Sequence, residues 1–444
     1  MRLRGAVLLV VAALCAVACG ARFKDTGNAS ANAGLGVGGG SSQLQTSGPG
    51  DSLVPGAASA GAATTIAGAT TTIAGQAASV DPGATTGLTA TTIKIGYLLP
   101  ITGAAPVPQS FDKGVNAYYD DINAKGGING RKIVPVVDDT QSQASVGKTM
   151  AQKQIEQDKV FAIVVLDRLE NQKAIGDYIE SRHVPNIEVQ TPPDLATSNA
   201  QWTFGVTIDH AVQGKLIADY FVHVLHATKV GVVQENTPIL NPGVDQFTKE
   251  IDALGAKVTY HTSIDGQGND YSSEALALSR SGATATWLYM APTPAAKLVN
   301  QADAVGYHPT WFANSISWAF DLIFAVGRKP LTGARAFSPW LPLSDPRTQA
   351  YQDAYRKDNP NSTPDDLGII GWGIGQIVGQ GVRNAGPRLG QNSFRDAMQH
   401  LQFRPDVWAP LKFGPGVRQG ANVVAVLKED GGHWALERDF SASF

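Results

Sequence analysis

The chain of 444 residues carries 35 Lys or Arg against 38 Asp or Glu, a formal charge of −3, with no basic cluster. That balance excludes the electrostatic footprint of a nucleic-acid partner. Its only cysteines are Cys15 and Cys19, so disulfides cannot staple the fold and a large apolar core must stabilise it.

Arg2 and Arg4 precede an apolar run from Gly5 to Cys15, long enough for a signal-peptide core and too short to span a bilayer. The run closes on Ala16-Val17-Ala18-Cys19. Small residues before a cysteine suit lipoprotein processing, which predicts a signal peptide over 1–18 and a diacylglycerol on Cys19. Cleavage after Ala-x-Ala, releasing an unanchored protein, is the competing reading, because Ala16 stands where leucine is usual. Lipidation is the expectation, since the cysteine sits at the required position. Residues 19–91 read as a disordered spacer: 49 of the 72 residues from Gly20 to Thr91 are Gly, Ala, Ser or Thr, too little apolar surface to offset ordering entropy. A flexible tether of that length reaches roughly 45–50 Å.

The remaining chain, 92–444, alternates strand and helix. Ile93 to Leu99 is β-rich and ends at Pro100. Phe111, Val115, Tyr118 and Ile122 share one helix face. Ile133–Asp138 and Phe161–Leu166 read as strands, Ala174–Ile179 as a helical stripe, and Val184–Val189 as strand again. The order then repeats, with helical stripes at Val212–Val224, Val244–Leu254 and Leu298–Val305 between strands at Lys229–Gln234, Lys257–Tyr260, Thr286–Met290 and Thr310–Ala313. Short buried strands separated by helices predict parallel sheets covered on both faces. Two such series predict two doubly wound lobes, with ligands held beyond the carboxyl ends of the strands. Further on, Gly371, Gly375 and Gly379 recur inside the helix Ile369–Val382. Each costs about 1 kcal/mol of helix stability, which predicts close packing against another element. Ser393 is expected to cap the last helix, and Asp430-Gly431-Gly432 to turn a final hairpin.

The string Asn123-Ala124-Lys125-Gly126-Gly127-Ile128-Asn129-Gly130 reads as a helix end with a left-handed glycine stop, then an Asn-Gly turn into a strand. With Pro100-Ile101-Thr102-Gly103, the acidic pair Asp138-Asp139, Asp270-Tyr271-Ser272 and Val305-Gly306, it resembles the leucine/isoleucine/valine-binding proteins, the type I periplasmic binding protein family. The resemblance covers roughly Ile93 to Leu436. It implies an α/β fold of two Rossmann-like, doubly wound lobes joined by a three-strand hinge, closing over a solute for a membrane transporter. The crossings are expected near Asp209, Gly333 and Arg404. One lobe would then comprise about 92–209 and 334–404, and the other about 210–333 and 405–444. The implied partners are a small-molecule solute and the permease and ATPase subunits of an ABC importer, with the receptor a monomer held to the membrane by its lipid. A sensory lipoprotein of the same fold, signalling to a membrane partner, is the alternative. So is a cell-wall lipoprotein that has lost transport. Permease and ATPase genes beside this one would favour transport.

The amino-acid pocket implied by the resemblance is poorly matched. Where small hydroxylated residues would hold a carboxylate, the chain has Asp167-Arg168-Leu169-Glu170-Asn171, and the later Ala-Thr is matched only by Thr191. The flanking aromatic positions fall near Val107, Leu240 and Ala291, and the acid for an ammonium group falls near Ser315. Candidate ligand residues are therefore Thr102, Arg168, Glu170, Asn171, Thr191 and Ser315. An arginine fork suits a carboxylate, although an ion pair of Arg168 with Asp167 or Glu170 is equally open. A neutral opposing wall predicts a carboxylic acid or an amide rather than leucine. Should leucine bind, the missing acid is Glu170 or Glu235. Trp311, Trp318 and Trp340 are placed either to stack on a ligand or to fill the core. No Gly-x-Ser-x-Gly, Walker or His-Glu-x-x-His motif is present, and His223 and His226 lack clustered partners. The expectation is a binding protein without catalytic residues, metal or cofactor.

Overall fold

In the computed structural model the described residues are 82–103, 106–195, 198–313, 321, 323–324 and 331–444, all within the unit Gly75–Phe444. Cys19, Ser315 and Trp318 lie outside them.

The first lobe is built from β1 (Thr92–Leu99), α1 (Ser110–Ala124), β2 (Lys132–Asp139), α2 (Ala144–Lys153), β3 (Ala162–Val165), α3 (Leu169–Ser181), β4 (Asn186–Glu188) and β5 (Thr203–Ile208). The five strands pair in parallel in the order β2-β1-β3-β4-β5. The second lobe follows with α4 (His210–His223), β6 (Lys229–Glu235), α5 (Asn241–Ala253), β7 (Lys257–Ile264), α6 (Ser272–Ser281), β8 (Ala285–Tyr289), α7 (Pro292–Ala304), β9 (Thr310–Ala313) and β10 (Arg335–Ser338). Its strands repeat the winding as β7-β6-β8-β9-β10, again parallel. Both sheets thus have the doubly wound order, whose switch point lies beside the first strand of each series.

The chain then returns to the first lobe as α8 (Gln349–Asp358), α9 (Asp366–Ala385), α10 (Gln391–Gln399), the small ladder of β11 (Gln402–Phe403) and β12 (Leu411–Lys412), and β13 (Gln419–Ala421), which joins β5 in parallel. It ends in the second lobe as the antiparallel hairpin of β14 (Val424–Asp430) and β15 (His433–Ser441), added beside β10. The first crossing falls at Asp209, whose carboxylate accepts the Ala211 and Val212 amides and so starts α4 as it spans the lobes. The second and third differ from expectation. Gly333 is a left-handed turn before β10, and the chain leaves that lobe only after Ser338, where the Leu341 amide bonds to Val407. Arg404 precedes two further first-lobe strands, so the last crossing lies between Ala421 and Val424. The spacer also ends earlier than 91. The carbonyls of Pro82 and Ala84 accept the amides of Asn392 and Gln391, and the amide of Lys94 bonds to the Gly87 carbonyl.

The string at 123–130 is structural. Asn123 clamps Ile133 through both its amide and carbonyl, at 2.9 and 2.8 Å. Gly126 and Gly127 take positive φ, and Asn129-Gly130 turns between Ile128 and Arg131, which exchange both backbone bonds. The α9 glycines receive α1: a Cβ on Gly371 would meet the Phe111 carbonyl oxygen at 2.1 Å, and one on Gly375 the Tyr118 ring at 2.8 Å. The last helix starts two residues before Ser393, whose hydroxyl accepts the Gly390 amide from inside the first turn.

Candidate ligand-binding cleft

Between the lobes lies a cavity of about 1150 Å³. Its walls begin where strands end, as the doubly wound order requires. Pro100 follows β1, Leu166 to Arg168 follow β3, and Val189 and Gln190 follow β4; from the other lobe come Glu235 at the end of β6 and Ala291 to Pro294 after β8. The returning chain closes the far side with Trp340, Leu343, Asp366, Ile370 and the hairpin residues His433 and Trp434. Much of this surface is apolar, with Pro100, Val107, Leu166, Trp340, Ile370 and Trp434 all lining the cavity.

Of the residues expected in the site, Arg168 is the one on the cavity wall among the described residues. It stands at the N-cap of α3, half-buried, and its backbone amide donates to Asp167. Among the described residues no hydrogen bond or ion pair engages its guanidinium, so the alternative, an ion pair with Asp167 or Glu170, does not form. Asp167 is occupied by Thr140, the Arg168 amide and Asn171. Asn171 therefore serves Asp167, and Glu170 accepts from Thr237 of the other lobe. Thr102 donates to Asp139 at 2.5 Å in an exposed turn. Thr191 is fully buried behind the cleft, its hydroxyl giving a 2.6 Å bond to the Thr207 carbonyl.

The wall facing Arg168 is not neutral. Glu235 lies there, its carboxylate against Gly266, where a Cβ would fall 2.2 Å from Oε1. Burial raises its pKa, while Arg168 and the Ala291 amide favour the ionised form and Glu170 and Asp265 oppose it. Val107 and Ala291 also line the cavity, but Leu240 is buried elsewhere. Trp340 is buried against Trp408 while contributing to the wall, and Trp311 packs edge-on to Tyr307 in the core.

A second polar cluster was not foreseen. Asp321 accepts from His433 at 2.9 Å and from the Trp434 amide at 2.8 Å, and its own amide donates to Asp366 at 2.8 Å. Burial, then the charge of Asp321, pushes the Asp366 carboxyl up to about 7. Asp321 comes after β9 in the chain, and that order was the available signal. Glu188, raised to about 8 by burial under α3, lies on a separate small pocket of the first lobe. Among the described residues no group of three His, Cys, Asp or Glu is placed to hold a metal, and no helix is long and apolar enough to cross a membrane.

A family described as periplasmic binding protein matches residues 92–433. An amino acid binding protein of Pseudomonas aeruginosa is 26% identical over 222 residues, 47% of this chain and 56% of that protein. The chain thus spans little more than half the length of the curated relatives it matches. A fatty acid ABC transporter substrate-binding protein from Thermomonospora curvata superposes with a TM-score of 0.70 at 21% identity, covering 82% of this chain and 95% of that one. A branched-chain amino acid ABC transporter protein from Thermus thermophilus with bound valine gives 0.71 at 15% identity, covering 79% and 97%. These likenesses show the fold.

Proposed function

The chain belongs to the periplasmic binding protein family, and from that premise we propose that it is the extracytoplasmic, solute-binding lipoprotein of an ABC importer, taking a ligand with a carboxylate or strongly polar head and an uncharged body. The observation that carries this reading is Arg168, whose guanidinium makes no hydrogen bond or ion pair among the described residues and stands on the wall of a largely apolar cavity. A guanidinium fork offers two parallel bonds to a carboxylate. The cavity, about 1150 Å³, exceeds the usual 300–1000 Å³ range of small-molecule pockets and suits an extended apolar body. The fatty acid protein that shares this fold supports such a ligand.

Glu235 favours a second reading, an α-amino acid whose ammonium meets Glu235 while its carboxylate meets Arg168. Calorimetry with benzoate, straight-chain acids, their amides and leucine separates the two. Losing a hydrogen bond to a charged group costs about 1.5–3 kcal/mol. Arg168→Ala should therefore weaken an acid by roughly ten- to a hundred-fold and leave its amide little changed. Micromolar binding of leucine, isoleucine or valine would overturn the first reading. The anchor has its own test. Cys19→Ser should release the protein from the membrane fraction without changing its melting temperature, and unchanged membrane partitioning would refute lipidation.

A further inference from the structure

The charges around Arg168 do not balance. Glu235 faces it from the end of β6, Glu170 stands two residues along α3, and Asp265 follows β7. Asp167 lies beside it on the wall. Tyr271, at the start of α6, is also within electrostatic reach of Glu235. Two other cations line the cavity and are engaged: Lys297 by the Gly268 carbonyl and the Asn269 side chain at 2.9 and 3.0 Å, and Arg356 by the Gln352 side chain at 2.9 Å. An anionic head docking on Arg168 would therefore share the cavity with the carboxylates of Glu235 and Asp167, and like charges brought close together disfavour joint ionisation.

One carboxyl among these is placed to relieve this. Asp167 already accepts three donors, Glu170 accepts Thr237, and Asp265 is exposed and accepts the Gln267 amide. Glu235 is half-buried, lines the cavity, and lies close against Gly266. We infer that Glu235 is a specificity residue that takes a proton from solvent when a carboxylate docks on Arg168, and then donates a hydrogen bond to that carboxylate. Protonation turns a repelling acceptor into a donor, and the proton adds to a Glu235 oxygen without any bond being broken in the ligand. Burial raises the Glu235 pKa and eases that uptake, while the charge of Arg168 opposes it until a carboxylate docks there. A zwitterionic amino acid would have the opposite effect, because its ammonium needs Glu235 ionised. The site thus selects acids over amino acids through one proton, an inference that rests on the carboxylate reading above.

The test is calorimetry of the full chain with benzoate and octanoate, at about pH 6, in buffers of different ionisation enthalpy. The expected result is net proton uptake approaching one per ligand, with affinity falling up to roughly tenfold per pH unit as pH rises through the titration. Glu235→Gln should bind the same acids without proton uptake and with little pH dependence. Tight binding of either acid without proton uptake by the unmutated protein overturns the role of Glu235 and leaves the carboxylate reading standing. Absence of binding by every acid tried, with leucine bound instead, overturns both.

Discussion

The Thr237 hydroxyl donates a hydrogen bond to Glu170 across the cleft, tying the first turn of α3 in one lobe to the turn after β6 in the other. Both residues are half-buried, so the contact is screened in part by water and is worth about 1 kcal/mol rather than the full value of a bond to a charged group. It acts between lobes, where a small energy changes populations directly. Thr237→Ala should raise the open fraction of the ligand-free protein about fivefold and increase its radius of gyration in small-angle scattering. A scattering curve identical to wild type would show that this edge of the cleft does not hold the lobes.

Thr191 is a joint between strands. Its hydroxyl donates to the Thr207 carbonyl at 2.6 Å, and its amide meets the Thr207 hydroxyl at 3.0 Å, all within fully buried surroundings. Thr191→Val removes the donor and leaves the Thr207 carbonyl without that partner, costing about 1–2 kcal/mol. Denaturant titration should report that loss, while affinity for any cleft ligand stays within twofold. A large change in affinity at unchanged stability would return Thr191 to the site.

Strand and helix were legible in the sequence wherever burial imposed a period. The run Phe161–Leu166 is buried throughout, and the glycines of α9 announced a close helix partner that proves to be α1. The third crossing was not legible, because β11, β12 and β13 are two or three residues long and carry no periodicity. Arg168 could be placed on the cavity wall because it comes so soon after its strand. Thr102 and Thr191 misled because a hydroxyl near a strand end serves a neighbouring backbone as readily as a ligand. Asp321 was missed, and Glu235 entered only as the fallback acid, because that wall is assembled from segments following strands β6, β8 and β9, far apart in sequence. Only folding shows which residue of each loop faces inward.

Asp366 makes the far edge of the cleft sensitive to pH. It begins α9 in the first lobe, is 5% exposed, and accepts the amide of Asp321. Burial, and after it the charge of Asp321, raises its pKa from the ordinary 3.8 to about 7; Asp365 also repels, while His433 favours ionisation. A carboxyl raised in the folded state adds no penalty below about pH 4, where folded and unfolded chains are both protonated. As pH rises, the unfolded chain ionises first, and stability falls until the folded group also ionises near pH 7. The His433 imidazole, raised by its bond to Asp321, acts in the same direction, since its contribution is present at low pH and lost on deprotonation. A shift of this size corresponds to at most about 4 kcal/mol, and the share recovered on mutation should be on the order of 1–3 kcal/mol because Asp321 carries part of the coupling. Asp366→Asn keeps an oxygen for the Asp321 amide and removes the charge. It should therefore melt about 2–5 °C above wild type at pH 8, with the difference shrinking toward zero at pH 4. Melting curves that run parallel across this range, or a variant less stable at pH 8, would show that Asp366 is held ionised by contacts stronger than its burial.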